Sequence, residues 1–484
     1  MRRILLVNPN RMLPPIAPIG LEYVAANLRE HGFDPVLCDL AFAQDWKACL
    51  KSSLDGVSPD AVGVSIRNLD DAYFASQDFI LEKMVEIIRH IRTLTDKPII
   101  LGGVGFSIAP REILRFSGAD YGIAGDGEWA FPQLLECLST GRIPDDVPGV
   151  VYWAGSGLVR EVAPKRRDIL RMPAPARRLA DNARYFAEGG QAGIETRRGC
   201  TQNCLYCVDT LAKGIVARAR GTSSLIAEIE DLLEQGIDVL HLCDSECNVP
   251  PEPLLRLCDA LVQRGLGHRI RWYAYAAPVP FDARLARHMA KAGCRGINFG
   301  VDHGVPEMLC RLGRIHSPDD ARNAARICRE TGIACMFDML FGGPGETPET
   351  LKQAIAFARE ADPDCVGLSC GIRVYPHTGL ARQIRAQGPL HANRNLHGAV
   401  RDNPELLRPI FYVNAAIGEN IHEQVAALVD GDARFFHAVP SQLGANYNYN
   451  NNSVLAKAIR DGARGAYWDI LRQSLSKSPD PMDR

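Results

Sequence analysis

The chain has 484 residues, more than one ordinary domain holds, and 46% hydrophobic with 23% charged residues is a globular composition. Its 55 basic and 57 acidic residues leave a net charge of −2, which excludes the strong positive field of a nucleic-acid or anionic-membrane binder. The first apolar run, Ile4–Val7, ends at Asn8 and is too short for a signal-peptide core, and no stretch approaches a membrane span, so a cytoplasmic protein is expected. The fifteen cysteines are odd in number and mostly scattered singly through apolar segments, which argues against a disulfide framework.

Residues 1–150 alternate strand and helix signals. RILLVNP, ending in a turn, predicts a buried strand. In GLEYVAANLREHG, Leu21, Val24, Ala25 and Leu28 recur at helical spacing and Gly32 stops the helix. DPVLCDL, AVGVSI and KPIILGG predict further strands, with the helical LEKMVEIIRHIRTL before the last. Such alternation implies an α/β, doubly wound parallel sheet that binds ligands at the carboxyl ends of its strands. Asn8, Ser65, Arg67, Gly102 and Gly103 fall there.

Between Lys165 and Arg178, six basic residues in fourteen and two prolines predict an extended linker, taken as 151–185, that is either a solvated connector or a phosphate or partner contact. A second alternation, 186–385, holds six candidate strands: AGIETR, VLHLCD, RWYAYA, GINFGVD, IACMFDMLFG and CVGLSCGIRV. Six βα units predict a partial parallel barrel with its chemistry at the strand C-termini. Residues 386–484 are less regular and are expected to form a mostly helical cap that selects the substrate. Within it NYNYNNN, Asn446–Asn452, reads as a polar loop or a substrate contact.

ETRRGCTQNCLYCV, Glu195–Val208, follows the first barrel strand, with Cys200, Cys204 and Cys207 at spacings of four and three. A structural zinc site takes four protein ligands, and the nearest later candidates are His241 and Cys243. A four-iron cluster on three thiolates leaves one iron open to bind a cofactor or substrate. CxxxCxxC in this position, with Tyr206 before the last cysteine, resembles the signature of the radical S-adenosylmethionine (SAM) superfamily. The resemblance implies a [4Fe–4S] cluster on Cys200, Cys204 and Cys207 that binds SAM and cleaves it to a 5′-deoxyadenosyl radical. It also implies an external electron donor of flavodoxin or ferredoxin type. SAM contacts are implied at Asp244 and Glu246 in CDSEC, at Asp302 in FGVDHG, where relatives often carry Glu, and at Gly342 and Gly343 in LFGGPGET. Arg373 in GIRVYP is expected either to reach a carboxylate of SAM or substrate, or to form a structural ion pair.

VNPNRMLPPIAPIGLEYVAANLREHGFDPVLCDL, GVSIRN, LGGVGFS and GIAGDGEWA, ahead of such a barrel, resemble the cobalamin-binding branch of that superfamily. In the Rossmann-like domain this implies, Gly102 and Gly103 leave space for the nucleotide tail, Ser65 bonds it, and the Gly125–Asp126–Gly127–Glu128 turn is typical. The DxHxxG histidine of other cobalamin domains is missing; Asn8, Pro9, Asn10 and Arg11 stand there instead. Base-off cobalamin without a protein histidine is implied, with Arg67, or second Arg11, below the cobalt as a protonated group that does not ligate it. The implied activity is methylation of an unactivated carbon, or of phosphorus, in a small molecule. One SAM would methylate cob(I)alamin and a second would generate the radical. Cyclisation or rearrangement with the same cofactors is the alternative, and a degenerate iron–sulfur scaffold is the non-enzymic one. An RNA methylthiotransferase is disfavoured because Cys38, Cys49 and Cys137 lack its spacing.

Overall fold

Where the sequence places four aliphatic residues in a row, β1 (Arg3–Asn8) forms, and Ile4, Leu5, Leu6 and Val7 are all fully buried. Alternate residues of a strand face opposite sides. Ile4 and Leu6 pack against the helices Ile19–Glu30 and Gly127–Ser139, while Leu5 and Val7 pack toward Trp46–Val57 and Ile80–Leu94. The computed structural model describes residues 2–155, 157–172, 174–437 and 449–475. β2 (Asp34–Asp39), β3 (Ala61–Ser65), β4 (Ile99–Gly102) and β5 (Tyr121–Ile123) complete a parallel ladder in the order β2-β1-β3-β4-β5. The chain therefore changes direction across the sheet between β1 and β3, a switch point at which ligands bind, and Asn8 and Ser65 end those two strands.

The sheet runs past residue 150. β6 (Val150–Trp153) and β7 (Val159–Glu161) extend it antiparallel, so the start of the expected linker belongs to the first sheet. The remainder is not simply a solvated connector either. Arg177 is fully buried, and the helix Asn182–Gly189 begins before the barrel does.

The second unit starts with β8 (Ala192–Ile194) and a two-residue antiparallel pair, β9 (Arg197–Arg198) with β10 (Arg218–Ala219). β11 (Val239–Leu242), β12 (Arg271–Ala276), β13 (Cys294–Asp302), β14 (Ala334–Phe341) and β15 (Cys365–Cys370) then pair in parallel, each next to its predecessor. β16 (Ile372–Arg373), β17 (Leu396–Gly398) and β18 (Ile410–Tyr412) make a small antiparallel sheet. β19 (Phe435–His437) joins β15 as a seventh parallel strand of an open barrel, so the C-terminal region supplies strands as well as helices.

The helices Ser453–Arg460 and Tyr467–Leu475 plug one end of the barrel. Leu455, Ile459 and Trp468 cluster with Val239, Tyr273 and Met336, and Tyr273 donates to Asp469 at 2.8 Å. Of the Asn446–Asn452 stretch, residues 446–448 lie outside the described residues. Asn452 is buried and caps the helix Ser453–Arg460, accepting from Leu455 N at 2.9 Å.

Candidate functional site

The cysteine loop leaves β9 and is held from three sides. Cys200 N donates to Gly214 O at 3.0 Å, Leu205 N to Leu312 O at 2.9 Å and Leu380 N to Leu205 O at 2.8 Å. Gly199 has φ +88°, and a Cβ there would stand 2.1 Å from Val216 O, so only glycine turns the chain into the loop. Cys200, Cys204, Tyr206 and Cys207 then line a cavity of about 280 Å³ together with Glu246 and Asp302. Burial pushes the Cys200 thiol up to about 11 and raises Cys204 and Cys207 as well. Three such thiols lose their protons only to a strong local positive charge, which a metal supplies. Among the described residues no His, Cys, Asp or Glu side chains converge as tightly as a single metal ion needs. Three thiols that line one cavity suit a polynuclear cluster.

Two of the implied SAM contacts face this cavity. Glu246 lines it with Oε2 buried and without a hydrogen-bond partner, and burial lifts its carboxyl to about 7 against the pull of Arg314. Asp302 adopts φ +60° and accepts from Tyr206 Oη at 2.5 Å. The others do not face it. Asp244 turns inward, accepting from Thr196 N at 2.8 Å, Thr196 Oγ1 at 2.5 Å and Arg197 N at 3.1 Å. Gly342 and Gly343 line neither this cavity nor the larger one described below. Their N–H groups both donate to Glu346 Oε2, and Glu346 is itself tied to His303 at 2.9 Å, so the glycine turn satisfies itself. Arg373 forms the structural ion pair: Nε donates to Asp70 Oδ2 at 2.8 Å and Nη2 to Leu407 O at 2.9 Å, tying the barrel to a loop of the first domain.

A larger cavity of about 380 Å³ lies between the two units. On the first domain it is lined by Ser65, Arg67, Gly102, Gly103 and the Gly125–Glu128 turn, and on the barrel by Glu195, Arg198, Lys213 and Cys243. Glu128 is spoken for, since Arg198 Nη1 and Nη2 bond its two oxygens at 2.9 and 2.5 Å. Asp126 meets Arg218 at 2.6 Å, a second pair across the same junction. Lys213 on this cavity and Asp209 on the thiol cavity pair at 3.3 Å, so one ion pair stands between the two spaces. Arg67 has no carboxylate partner among the described residues. It bonds Asn68 at 3.2 Å and Met12 Sδ at 3.5 Å, and its charge is felt by Cys243, Tyr467 and Tyr275 of the barrel. Desolvation lowers its pKa, and a guanidinium stays protonated in proteins. Arg11 bonds Ala43 O at 3.1 Å and does not line the cavity.

Gly103 has φ +100°, and a Cβ on it would lie 2.5 Å from Ile66 O. Gly103→Ala is therefore expected to cost about 1–3 kcal/mol and to weaken whatever ligand the β3–β4 edge holds. Denaturant unfolding with and without corrin measures both effects, and a wild-type midpoint would contradict the strain.

Two family models match the chain: the radical SAM superfamily over residues 194–358 and the B12 binding domain over residues 12–135. The chain is 32% identical over 446 residues to the tryptophan 2-C-methyltransferase of Streptomyces laurentii, across 79% of this chain and 74% of that protein. It superposes on the radical SAM methyltransferase TsrM of Kitasatospora setae, in complex with tryptophan and aza-SAM, with a TM-score of 0.90, 30% identity and 99% of each chain covered. A second structure of that protein, with cobalamin and a [4Fe–4S] cluster bound, matches with a TM-score of 0.89 and 30% identity over 98% of each chain. The chain belongs to the cobalamin-dependent radical SAM methyltransferases.

As a methyltransferase of this family it works with a [4Fe–4S] cluster, SAM and cobalamin. The residues present fit these groups. Three buried thiols and the orphaned Glu246 oxygen face one cavity, and a Cβ on Gly102 would have no atom closer than 3.9 Å, which leaves the β4 edge open. No helix among the described residues is long and apolar enough to cross a membrane.

Sequence reasoning missed Arg198, Lys213, Asp209, Arg314 and Tyr275. Arg198 and Asp209 lie within two residues of the cysteine motif, so the motif's flanks carried a signal. Tyr275 was legible only from alternation on β12, whose inward positions are Tyr273 and Tyr275.

Proposed function

We propose that this chain methylates a carbon of a small molecule, with aromatic amino acids of the tryptophan class as the first candidates. The observation that carries this is the shared junction. The first domain's cavity presents Arg67 toward Cys243, Tyr275 and Tyr467, and one ion pair separates it from the thiol cavity. The relatives named for tryptophan methylation and tryptophan binding point to the substrate class. When bound, the cluster supplies an open iron and an electron, SAM the methyl group, and cobalamin a cobalt able to carry it.

The chain's own residues then have separable tasks. Cys200, Cys204 and Cys207 hold the cluster. Glu246 and Asp302, with Tyr206 fixing Asp302, offer carboxylates to the SAM ammonium. Ser65, Gly102, Gly103, Gly125 and Gly127 line the space for the nucleotide tail, and Glu128 fixes the domain junction rather than the ligand. Arg67 would hold a positive charge beside the bound corrin. Tyr275, 40% exposed, and His241, whose ring centroid lies 5.1 Å from it and which burial pushes down to about 4 and so keeps neutral, are the barrel side chains offered to the substrate.

An electron-rich aromatic carbon accepts a methyl group without losing a hydrogen atom to a radical, whereas an unactivated carbon needs a second SAM for that step. Incubating the reconstituted chain with SAM, reductant, corrin and L-tryptophan is expected to yield a methylated product and S-adenosylhomocysteine. Coupled 5′-deoxyadenosine would establish the two-SAM route. A rearranged product without S-adenosylhomocysteine would favour the cyclase reading instead.

Arg67→Ala is expected to lower S-adenosylhomocysteine formation by about tenfold or more, while any 5′-deoxyadenosine formation changes far less, because the thiols lie in the other unit. Equal loss of both would indicate a docking defect, and loss of neither would remove Arg67 from the methyl-transfer step.

A further inference from the structure

One buried cation faces the thiols, and the cysteine motif does not account for it. The side chain of Arg314 is 4% exposed. Nη1 lies 3.0 Å from Cys204 Sγ, and Nη2 donates to Gly300 O. Nε stands 3.5 Å from Asp302 Oδ2, and Nη2 stands 3.9 Å from Glu246 Oε1. Burial alone would lower its pKa, but Asp302, Tyr206, Cys204 and Glu246 outweigh it and hold the guanidinium charged.

The backbone aims this charge. Gly313 has φ +76°, and a Cβ on it would lie 2.6 Å from Asn203 O. Leu205 N donates to Leu312 O at 2.9 Å. The segment that carries Arg314 is therefore locked against the cysteine loop at both Asn203 and Leu205, and the side chain reaches Cys204 between them.

On the assignment of the cluster to Cys200, Cys204 and Cys207, we propose that Arg314 is a positioning residue that sets the cluster's reduction potential. It does so by donating an N–H to the Cys204 sulfur and fixing a positive charge beside it. Reduction adds one electron, delivered by a low-potential one-electron donor, and so adds one negative charge to the cluster. Hydrogen bonds to ligand sulfur and a neighbouring cation both stabilise that form. Asp302 and Glu246 act in the opposite sense, and without Arg314 they would face the added charge uncompensated.

The test is an EPR-monitored redox titration of the anaerobically reconstituted full chain, without SAM, using dithionite, together with iron analysis. Arg314→Gln is expected to hold about four irons and to lower the reduced-to-oxidised ratio at fixed potential by about tenfold or more, a downward shift of about 59 mV per tenfold. Arg314→Lys keeps the charge and is expected to recover part of the ratio. Asp302→Asn removes an opposing charge and is expected to raise the ratio, which keeps the proposal testable if Arg314→Gln does not load iron. An unchanged ratio in Arg314→Gln with weakened SAM binding would make Arg314 a SAM contact and overturn the proposal, as would no movement in Asp302→Asn. Cys204→Ala separates the two levels. Full iron retention there would sink the cluster assignment, whereas iron loss leaves the Arg314 result to be read by itself.

Discussion

Cys207→Ala is expected to leave a folded chain that holds almost no iron and transfers no methyl group, against about four irons in the wild type. Burial raises the Cys207 thiol, and Cys207 N bonds Cys204 O at 3.2 Å, so the backbone presents the sulfur to the cavity without the metal's help. The loop is also anchored through Cys200, Leu205 and Leu312, none of which the substitution touches. Circular dichroism and corrin binding should therefore survive while iron and activity are lost. Cys200→Ala and Cys204→Ala should behave alike. Cys243→Ala, on the other cavity, should keep its iron. Wild-type iron in Cys207→Ala would mean the cluster sits elsewhere.

The second large effect is structural. Arg177 is fully buried where three parts of the chain meet. Its Nε bonds Glu22 of the helix Ile19–Glu30 at 2.5 Å, Nη1 bonds Glu228 of the helix Thr222–Glu234 at 2.7 Å, and Nη1 also reaches Gly193 O of β8 at 3.0 Å. Glu228 further accepts from Arg220 at 2.6 Å and from Tyr23 Oη at 3.1 Å. Burial opposes the charge, but Glu22 and Glu228 overcome it and raise the Arg177 pKa. Arg177→Met leaves Glu22 without a cation, and removing one partner of a buried pair costs about 3–5 kcal/mol. We expect a lower urea midpoint, faster proteolysis between residues 162 and 181, and loss of methyl transfer even where the iron is retained, because this network docks the corrin domain on the barrel. A change below about 1 kcal/mol, the worth of an exposed pair, would show that the domains are held by other contacts.

The same residue marks where the sequence stops being legible. Six basic residues in fourteen gave a solvated linker, since charge density is read locally, yet Arg177 finds its partners 155 and 51 residues away. β1 was legible because four aliphatic residues in a row have few other ways to be buried, and the six barrel strands because short apolar runs alternate with helical stretches. β6, β7 and β19 were not, being short and recruited at sheet edges by pairing partners that sequence does not announce. Among the site residues, the three thiols stood out because their spacing is itself the chemistry. The Gly342–Gly343 turn lines neither cavity, and Glu346, only three residues on from Gly343, takes both N–H groups. Asp244 lines neither cavity either, and Thr196 and Arg197 engage it from across the strand ends. At both places the fold engages the groups within the protein: the Asp244 carboxylate accepts from Thr196 and Arg197, and the Gly342 and Gly343 N–H groups donate to Glu346.

On this reading both cofactor sites serve one methyl transfer. The most direct measurement is S-adenosylhomocysteine released from SAM by the reduced, reconstituted chain without substrate, with corrin supplied or withheld. A single burst of about one S-adenosylhomocysteine per bound corrin is expected, with none without corrin and a marked loss in Arg67→Ala. S-adenosylhomocysteine formed at the same level without corrin, or none formed when corrin and cluster are both present, would contradict it.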